Sequence, residues 1–484
     1  MSAPSSFAEP LWSASELALA TGGRLAGAPA DDIVGISIDS RSVARGEAFF
    51  AIKGDRQDGH AFVADAFARN AGLAVVDEAH AAEFASAGPL LVVADVLDAL
   101  VAAGVAARAR SQAKIVAVTG SVGKTSTKEA LRIALGADGS THASAASHNN
   151  HWGVPLTLSR LPKSAAYGVF EIGMNHPDEI RPLTRMVRPH VAMVMNVEPV
   201  HLAAFPNVEA IADAKAEIFE GLVPGGHAVI NRDSPHFERL CAAARACDAE
   251  IMSFGEHVTA DARLDRLALK ETSSCVAATI LGEPVTFKIG APGRHLVQNA
   301  LGVLLAAKLL GADLALAALA LARFAPPAGR GRRHELATAA GPLVVIDESY
   351  NANPASMRAA LALLGHTPVG PSGRRIAALG DMLELGASEQ ELHAGVAEAV
   401  AASKIDLVYT AGPLMRALHE ALPAQRRGAW APTAAELEPI LLQSVRGGDA
   451  VMVKGSNSSR MGPLVAALCA RFAPIAADET VSAE

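Results

Sequence analysis

The run Val118-Thr119-Gly120-Ser121-Val122-Gly123-Lys124-Thr125-Ser126, at the end of the apolar stretch 115–118, constrains this chain more than any other feature. A buried strand that breaks at a glycine turn and continues into a helix aims backbone N–H groups and the helix N-terminus at one point. That geometry is a cradle for a polyphosphate. Gly123 lets the backbone approach closely, Lys124 offers a point charge to the β- and γ-phosphates, and the Thr125 hydroxyl is a candidate Mg²⁺ ligand. The pattern is the short GxxGK[ST] form, because Val118 stands where the longer form has glycine. A strand before and a helix after, here over 128–135, separate it from a chance glycine turn. Gly120, Ser121, Val122, Gly123, Lys124, Thr125 and Ser126 are therefore candidate contacts to ATP.

Such a loop needs a parallel sheet around it, and the rest of the chain supplies one. The 484 residues predict two to four domains at roughly 100–200 residues each, and the pattern divides into three. Residues 1–96 open with Ser13-x-x-Glu16, a capping-box signal for a short helix that Gly22-Gly23 ends, followed by short strands at 35–38, 48–52, 73–76 and 90–93. This is a small α/β module. Residues 97–326 hold the phosphate loop, further apolar runs at 167–171, 191–195 and 227–230 alternating with helical segments, and antiparallel strands over 260–289. Strands alternating with helices predict a doubly wound parallel sheet. Residues 327–484 follow Pro326-Pro327 and repeat the alternation, with strands at 343–346, 376–379, 407–409 and 451–453. That predicts a second, Rossmann-like doubly wound domain without the GxGxxG of a dinucleotide site.

Composition excludes several classes. Half the residues are apolar and 19% charged, enough to bury several cores. A formal charge of −8 argues against a nucleic-acid partner, so any polyanion must be met by local donors. Cys241, Cys247, Cys275 and Cys469 show no CxxC pairing, which favours a reducing compartment over a zinc site or disulfide framework. The first thirty residues lack a leader pattern and no run is long enough to span a bilayer, so a cytoplasmic protein without membrane contact is expected.

Further along the central section, Glu171 ends the apolar run 167–171, and strand C-termini line the ligand crevice of a parallel sheet. A lone carboxylate beside phosphates suits Mg²⁺, although by position alone a solvated glutamate is as good a reading. His201 follows the strand at 191–195, where it could meet a second metal or a reacting phosphate; a loop histidine without a partner is more often structural. Lys215 sits on an amphipathic helix, ordinarily a solvated position. Tyr350-Asn351-Ala352-Asn353-Pro354, taken alone, is a turn and helix start with Asn353 as N-cap and Pro354 at the first helical position.

In this order and company the residues resemble the Mur ligases, ATP-dependent amide-bond ligases of peptidoglycan precursor synthesis, over nearly the whole chain. Asp39-Ser40-Arg41 and Gly46-Glu47-Ala48-Phe49-Phe50-Ala51 are similar to the first domain's UDP-binding segment. The phosphate loop and Asn149-Asn150 with Gly153-Val154-Pro155-Leu156-Thr157-Leu158 follow in register. The resemblance implies Glu171 and His201 as magnesium ligands, Lys215 as a carbamylated lysine, and Arg330 and Asp347 as ATP contacts after the hinge. His295-Leu296-Val297-Gln298-Asn299 departs from the His-Asn-x-x-Asn of many relatives, and Asn299 remains the residue implied for the adenine. Tyr350, Asn351 and Asn353 in the run 347–357, with Gly380-Asp381-Met382 and His393, resemble the branch that joins D-alanyl-D-alanine to UDP-N-acetylmuramoyl-tripeptide.

The chemistry so implied converts a carboxylate to an acyl phosphate with ATP, after which an amine attacks and phosphate leaves. Lys124, Thr125, Glu171, His201 and Lys215 would neutralise charge in that transfer. An ammonium at Lys215 would repel two neighbouring cations, whereas a carbamate would ligate them. Ser40, Arg41, Asn149, Asn150, Tyr350, Asn351 and Asn353 would face the substrates, UDP-N-acetylmuramoyl-tripeptide and D-alanyl-D-alanine, and a monomer is the expected unit. A folylpolyglutamate synthase would share the loop and metal sites, but the N-terminal section and the run 350–357 argue against it. A nucleotide-binding regulator is opposed by the full set of Lys124, Glu171, His201 and Lys215.

Overall fold

The computed structural model describes residues 10–28, 32–54, 57–145, 147–200 and 202–475. His201 lies outside the described residues. Among them the chain forms three sheets of five, nine and six strands, with a two-residue ladder between Trp12–Ser13 and Asp32–Ile33. The α/β class and the three-part organisation both appear. In the first sheet Gly35–Ser37, Glu47–Phe50, Leu73–Asp77 and Leu90–Val93 run parallel, and Arg24–Ala26 closes one edge antiparallel. Ser13 caps the helix Ala14–Thr21 in a reciprocal box with Glu16, and Gly22 ends it in the left-handed conformation.

The helix Val96–Arg110 packs its apolar face on that sheet: Ala99, Leu100, Ala103 and Ala107 are buried in one cluster with Ile36, Phe50, Val75 and Leu91. The opposite side meets the helix Gly153–Ser159 so closely that a Cβ on Gly104 would come within 3.1 Å of the Pro155 carbonyl. Polar ties reinforce the seam. The Trp12 indole donates to the Ser159 carbonyl at 2.9 Å, and Arg160 donates to the Ile36 carbonyl at 2.6 Å. The first two sheets are thus locked through a shared helix.

The nine-stranded sheet places Lys114–Thr119 between Val191–Val194 and Tyr167–Glu171, all parallel. Its strands read as unbroken apolar runs because both faces are covered. Val116 and Val118 pack with Leu131, Leu301 and Leu305, while Ile115 and Ala117 pack with Leu158, Ile211 and Phe219. Ala262–Leu269, Ser274–Ile280 and Glu283–Ile289 form the expected antiparallel end. The helical reading of 208–222 divides: Val208–Ala216 is α-helix and Glu217–Gly221 is a 3₁₀ turn. Tertiary contacts tighten it, since the Glu217 carboxylate accepts from the Asp178 and Arg181 amides, and Gly221 lies against Thr184.

In the third sheet Leu343–Glu348, Ala450–Lys454, Arg375–Gly380, Leu407–Ala411 and Arg427–Ala431 are parallel neighbours. Arg332–Leu336 adds an antiparallel edge that its polar sequence does not announce. Asn353 caps the helix Pro354–His366 with Ser356 in a reciprocal box. Arg333 bonds to Glu271 at 2.9 Å, joining this domain to the antiparallel end of the central sheet.

Candidate active site

A cleft of about 560 Å³ opens where the C-terminal strand ends of the central and third sheets face each other. Its floor is the phosphate loop. Lys114–Thr119 delivers the chain into the turn, and the helix Lys124–Leu135 leaves it, so the first free amides of that helix point into the cleft. Gly123 is required twice: its φ is +85°, and a Cβ there would stand 2.9 Å from the Asn299 side-chain amide. Asn299 rises from the helix Arg294–Leu309 and therefore covers the loop directly.

The loop is held from its other side by residues no local pattern reveals. Asn196 Oδ1 accepts from the Val122 amide at 2.9 Å, and Asn196 Nδ2 donates to the Val122 carbonyl at 3.0 Å. The Ser121 hydroxyl donates to the Glu198 carbonyl at 3.1 Å. The Lys124 ammonium donates to the Gly120 carbonyl at 2.7 Å, folded over the loop. Desolvation lowers its pKa, against the opposing pull of Glu171, and Arg330 lowers it further.

Beside the loop lies a buried oxygen cluster. Glu171 ends its strand at 1% exposure. Thr125 Oγ1 is 3.0 Å from Glu171 Oε2, and Asn149 Nδ2 donates to Oε1 at 2.8 Å. Ser147 Oγ is 3.2 Å from Thr125 Oγ1. A carboxylate and a hydroxyl turned toward one another beside a phosphate cradle fit a hard, oxygen-seeking cation such as Mg²⁺. Lys215 is 2% exposed on Val208–Ala216; burial, then the charge of Lys124, hold its pKa well below the usual lysine range. It is a core position rather than a solvated helix face.

The opposite wall comes from the third domain. Arg330 stacks over the Tyr350 ring at 4.1 Å and reaches toward Ser147. Of the crowded arginines Arg330, Arg332 and Arg333, only Arg330 lines the cleft. Asp347 does not line it; its carboxylate accepts from the Gly329 amide at 2.7 Å and the Ser349 hydroxyl at 2.6 Å, which shapes the arginine turn. Tyr350, Asn351, Asn353, Glu348 and Lys454 complete the wall.

The structure therefore brings Ser121, Val122, Gly123, Lys124, Ser126, Asn149, Asn150, Glu171 and Asn299 into one cleft with Arg330, Tyr350, Asn351 and Asn353. Gly120, Thr125, Lys215 and Asp347 stand behind its surface. Ser40 and Arg41 are elsewhere, in the turn after Gly35–Ser37, where Arg41 is exposed and paired with Asp39 at 2.7 Å. His393 is fully buried; Nε2 accepts from the Met382 amide at 2.9 Å, holding the loop after Arg375–Gly380. Asp381 is also a brace, accepting from the Met415 amide at 2.8 Å. Sequence reading missed Asn196, Glu198, Ser147, Glu348 and Lys454, because each matters only through a long-range contact.

The chain is similar to known proteins along most of its length. Residues 32–118 match the Mur ligase family catalytic domain, 118–307 the Mur ligase middle domain, and 332–457 the Mur ligase glutamate ligase domain. The chain is 31% identical to the UDP-N-acetylmuramoyl-tripeptide–D-alanyl-D-alanine ligase of Rickettsia prowazekii over 89% of this chain and 94% of that one. It is 32% identical to the enzyme of the same name from Escherichia coli, over 90% and 93%. The crystal structure of MurF from Acinetobacter baumannii superposes with a TM-score of 0.81 at 32% identity, covering 94% of this chain and 98% of that one.

Proposed function

This chain belongs to the Mur ligase family, and from that premise we propose that it joins D-alanyl-D-alanine to UDP-N-acetylmuramoyl-tripeptide in peptidoglycan synthesis, at the expense of ATP. The observation that carries the reading is the meeting, in one cleft, of the phosphate loop and Glu171 with the Arg330–Tyr350 wall of another domain. A carboxylate is a poor electrophile, so the γ-phosphoryl group is transferred to it first, giving an acyl phosphate and ADP. The dipeptide amine then attacks the acyl carbon, the tetrahedral intermediate expels phosphate, and the amine proton passes to solvent.

Phosphoryl transfer asks for positioning and charge neutralisation more than for covalent help. Loop amides and Lys124 hold the triphosphate, Arg330 approaches from the opposite wall, and Asn299, which covers the loop at Gly123, would meet the adenine. Thr125 and Glu171, with His201 and a carbamylated Lys215, would hold Mg²⁺. When bound, the metal lowers the charge repulsion between phosphate and attacking carboxylate. Burial of Lys215 supports the carbamate, since CO₂ adds to a neutral amine and not to an ammonium. Ser40 and Arg41 would meet the UDP end of the substrate on the first domain, and Asn150 its peptide end. The cytoplasm is the expected setting, in keeping with four cysteines that form no disulfide, and no described helix is long and apolar enough to cross a membrane.

Phosphate release tests the assignment. It should require ATP, UDP-N-acetylmuramoyl-tripeptide and D-alanyl-D-alanine together, and vanish in Lys124→Ala. Release with a folate and glutamate, or with neither acceptor pair, would overturn it.

A further inference from the structure

Lys454 ends the strand Ala450–Lys454, is 1% exposed, and is among the residues that line the cleft. Its ammonium donates to the Asn351 carbonyl at 2.8 Å and stands 3.4 Å from Glu348 Oε2. An ammonium carries three donors, and these two partners use at most two of them. A buried cation is costly unless it is fully paired, and 3.4 Å is long for a charge-assisted bond. Burial accordingly depresses its pKa, with Glu348 opposing and Arg330 adding to the effect. The site retains a buried, under-coordinated positive charge that faces a ligand space.

Two kinds of anionic oxygen could enter that space: a nucleotide phosphate or a carboxylate of the incoming acceptor. The phosphates have the loop amides and Lys124 on the central domain, and Arg330 reaches toward them from the other wall. Lys454 belongs to the other wall, on a strand flanked by Leu343–Glu348 and Arg375–Gly380, all parallel. C-terminal strand ends are where such sheets take small ligands. That wall offers Asn351 and Asn353 amides for a peptide bond and, at Glu348 and Lys454, one charge of each sign. Side-chain amides beside a lysine with an unused donor suit a short peptide that ends in a carboxylate.

We propose that Lys454 binds the terminal carboxylate of the incoming dipeptide and so selects an acceptor that ends in a free acid. The assignment rests on the ligase reading above and adds to it the residue that recognises the acceptor. A charge-assisted bond to a buried partner commonly contributes a factor of roughly 10–150 in binding.

The test compares D-alanyl-D-alanine with its C-terminal amide in phosphate release by the full-length protein. The wild type should use the amide at least tenfold less well in kcat/KM. Lys454→Gln should raise the KM for the acid by a similar factor, leave the KM for ATP within about twofold, and bring acid and amide close to parity. Lys454→Arg should recover part of the discrimination. A wild type that uses the amide as well as the acid overturns the proposal whatever the variants do. So does a Lys454→Gln enzyme whose ATP KM rises while its dipeptide KM stays put, which would assign the lysine to a phosphate. If the wild type releases no phosphate with this substrate pair, the ligase reading falls, and the Lys454 assignment with it; acid turnover without acid–amide discrimination overturns Lys454 alone.

Discussion

Thr125 Oγ1 lies 3.0 Å from one oxygen of Glu171 and 3.2 Å from the other, so a loop hydroxyl addresses both oxygens of a carboxylate that is 1% exposed. One group comes from the first turn of a helix and the other from a strand end, 46 positions apart, yet they are preset as a pair. Pre-organisation of this kind means that a cation entering with the nucleotide meets its oxygens without rearrangement.

Replacing Thr125 by valine keeps the shape and removes the oxygen. We expect Thr125→Val to lose at least ~100-fold in turnover, in line with removal of one pre-organised group at a charge-developing centre. Thr125→Ser should stay within about tenfold of the wild type. Phosphate release measured across a magnesium titration checks this; equal magnesium dependence in all three proteins would refute the pairing as a metal site.

Asn149 is assigned by resemblance to a substrate, but its side-chain amide donates to Glu171 Oε1 at 2.8 Å. It therefore orients the carboxylate. Loss of such a supporting bond typically costs about 10–100-fold in metal affinity or activity. Asn149→Ala should raise the magnesium concentration for half-maximal activity by that order while changing the KM for the UDP substrate little. The reverse pattern would return Asn149 to substrate binding.

What the sequence made legible was local. The strand–turn–helix around Lys124, the Ser13–Glu16 box and the Asn353–Pro354 helix start each depend on residues within a few positions of one another, and all three are present. Both-faced burial gave the parallel strands their continuous apolar runs. The polar edge strand Arg332–Leu336 carries no such run, because only its partner strand is sandwiched. Asn196 and Lys454 escaped for a different reason. Neither has a spacing rule; their roles arise from contacts 74 and 103 positions away, to Val122 and Asn351. Asp347 shows the converse, a residue named by resemblance whose carboxylate is occupied in holding the Gly329–Arg330 turn.

Lys215 is 2% exposed and within the field of Lys124, with a like charge as its neighbour rather than a carboxylate. Converting it to a carbamate replaces that repulsion by attraction and supplies two ligand oxygens. Lys215→Ala should abolish turnover and regain part of it when acetate or formate is added. An active Lys215→Ala protein, or one that no short carboxylate rescues, would rule the carbamate out.

Acid stability provides a check that does not depend on turnover. His190 Nδ1 accepts from the Ile115 amide at 2.9 Å, which requires a ring nitrogen free of its proton. Burial, followed by the charges of Arg108 and Lys114, pushes its pKa from 6.5 to about 4. Between those values the unfolded chain binds more protons than the folded one, so stability rises with pH across that window. The contribution is fully present above about pH 6.5 and is lost as pH falls toward 4. His190→Gln keeps an acceptor for Ile115 but has no proton to gain. Thermal midpoints measured from pH 7 to pH 4.5 should therefore fall less steeply in His190→Gln than in the wild type, with the two converging at the acid end. Parallel curves would show that His190 is not the group that titrates.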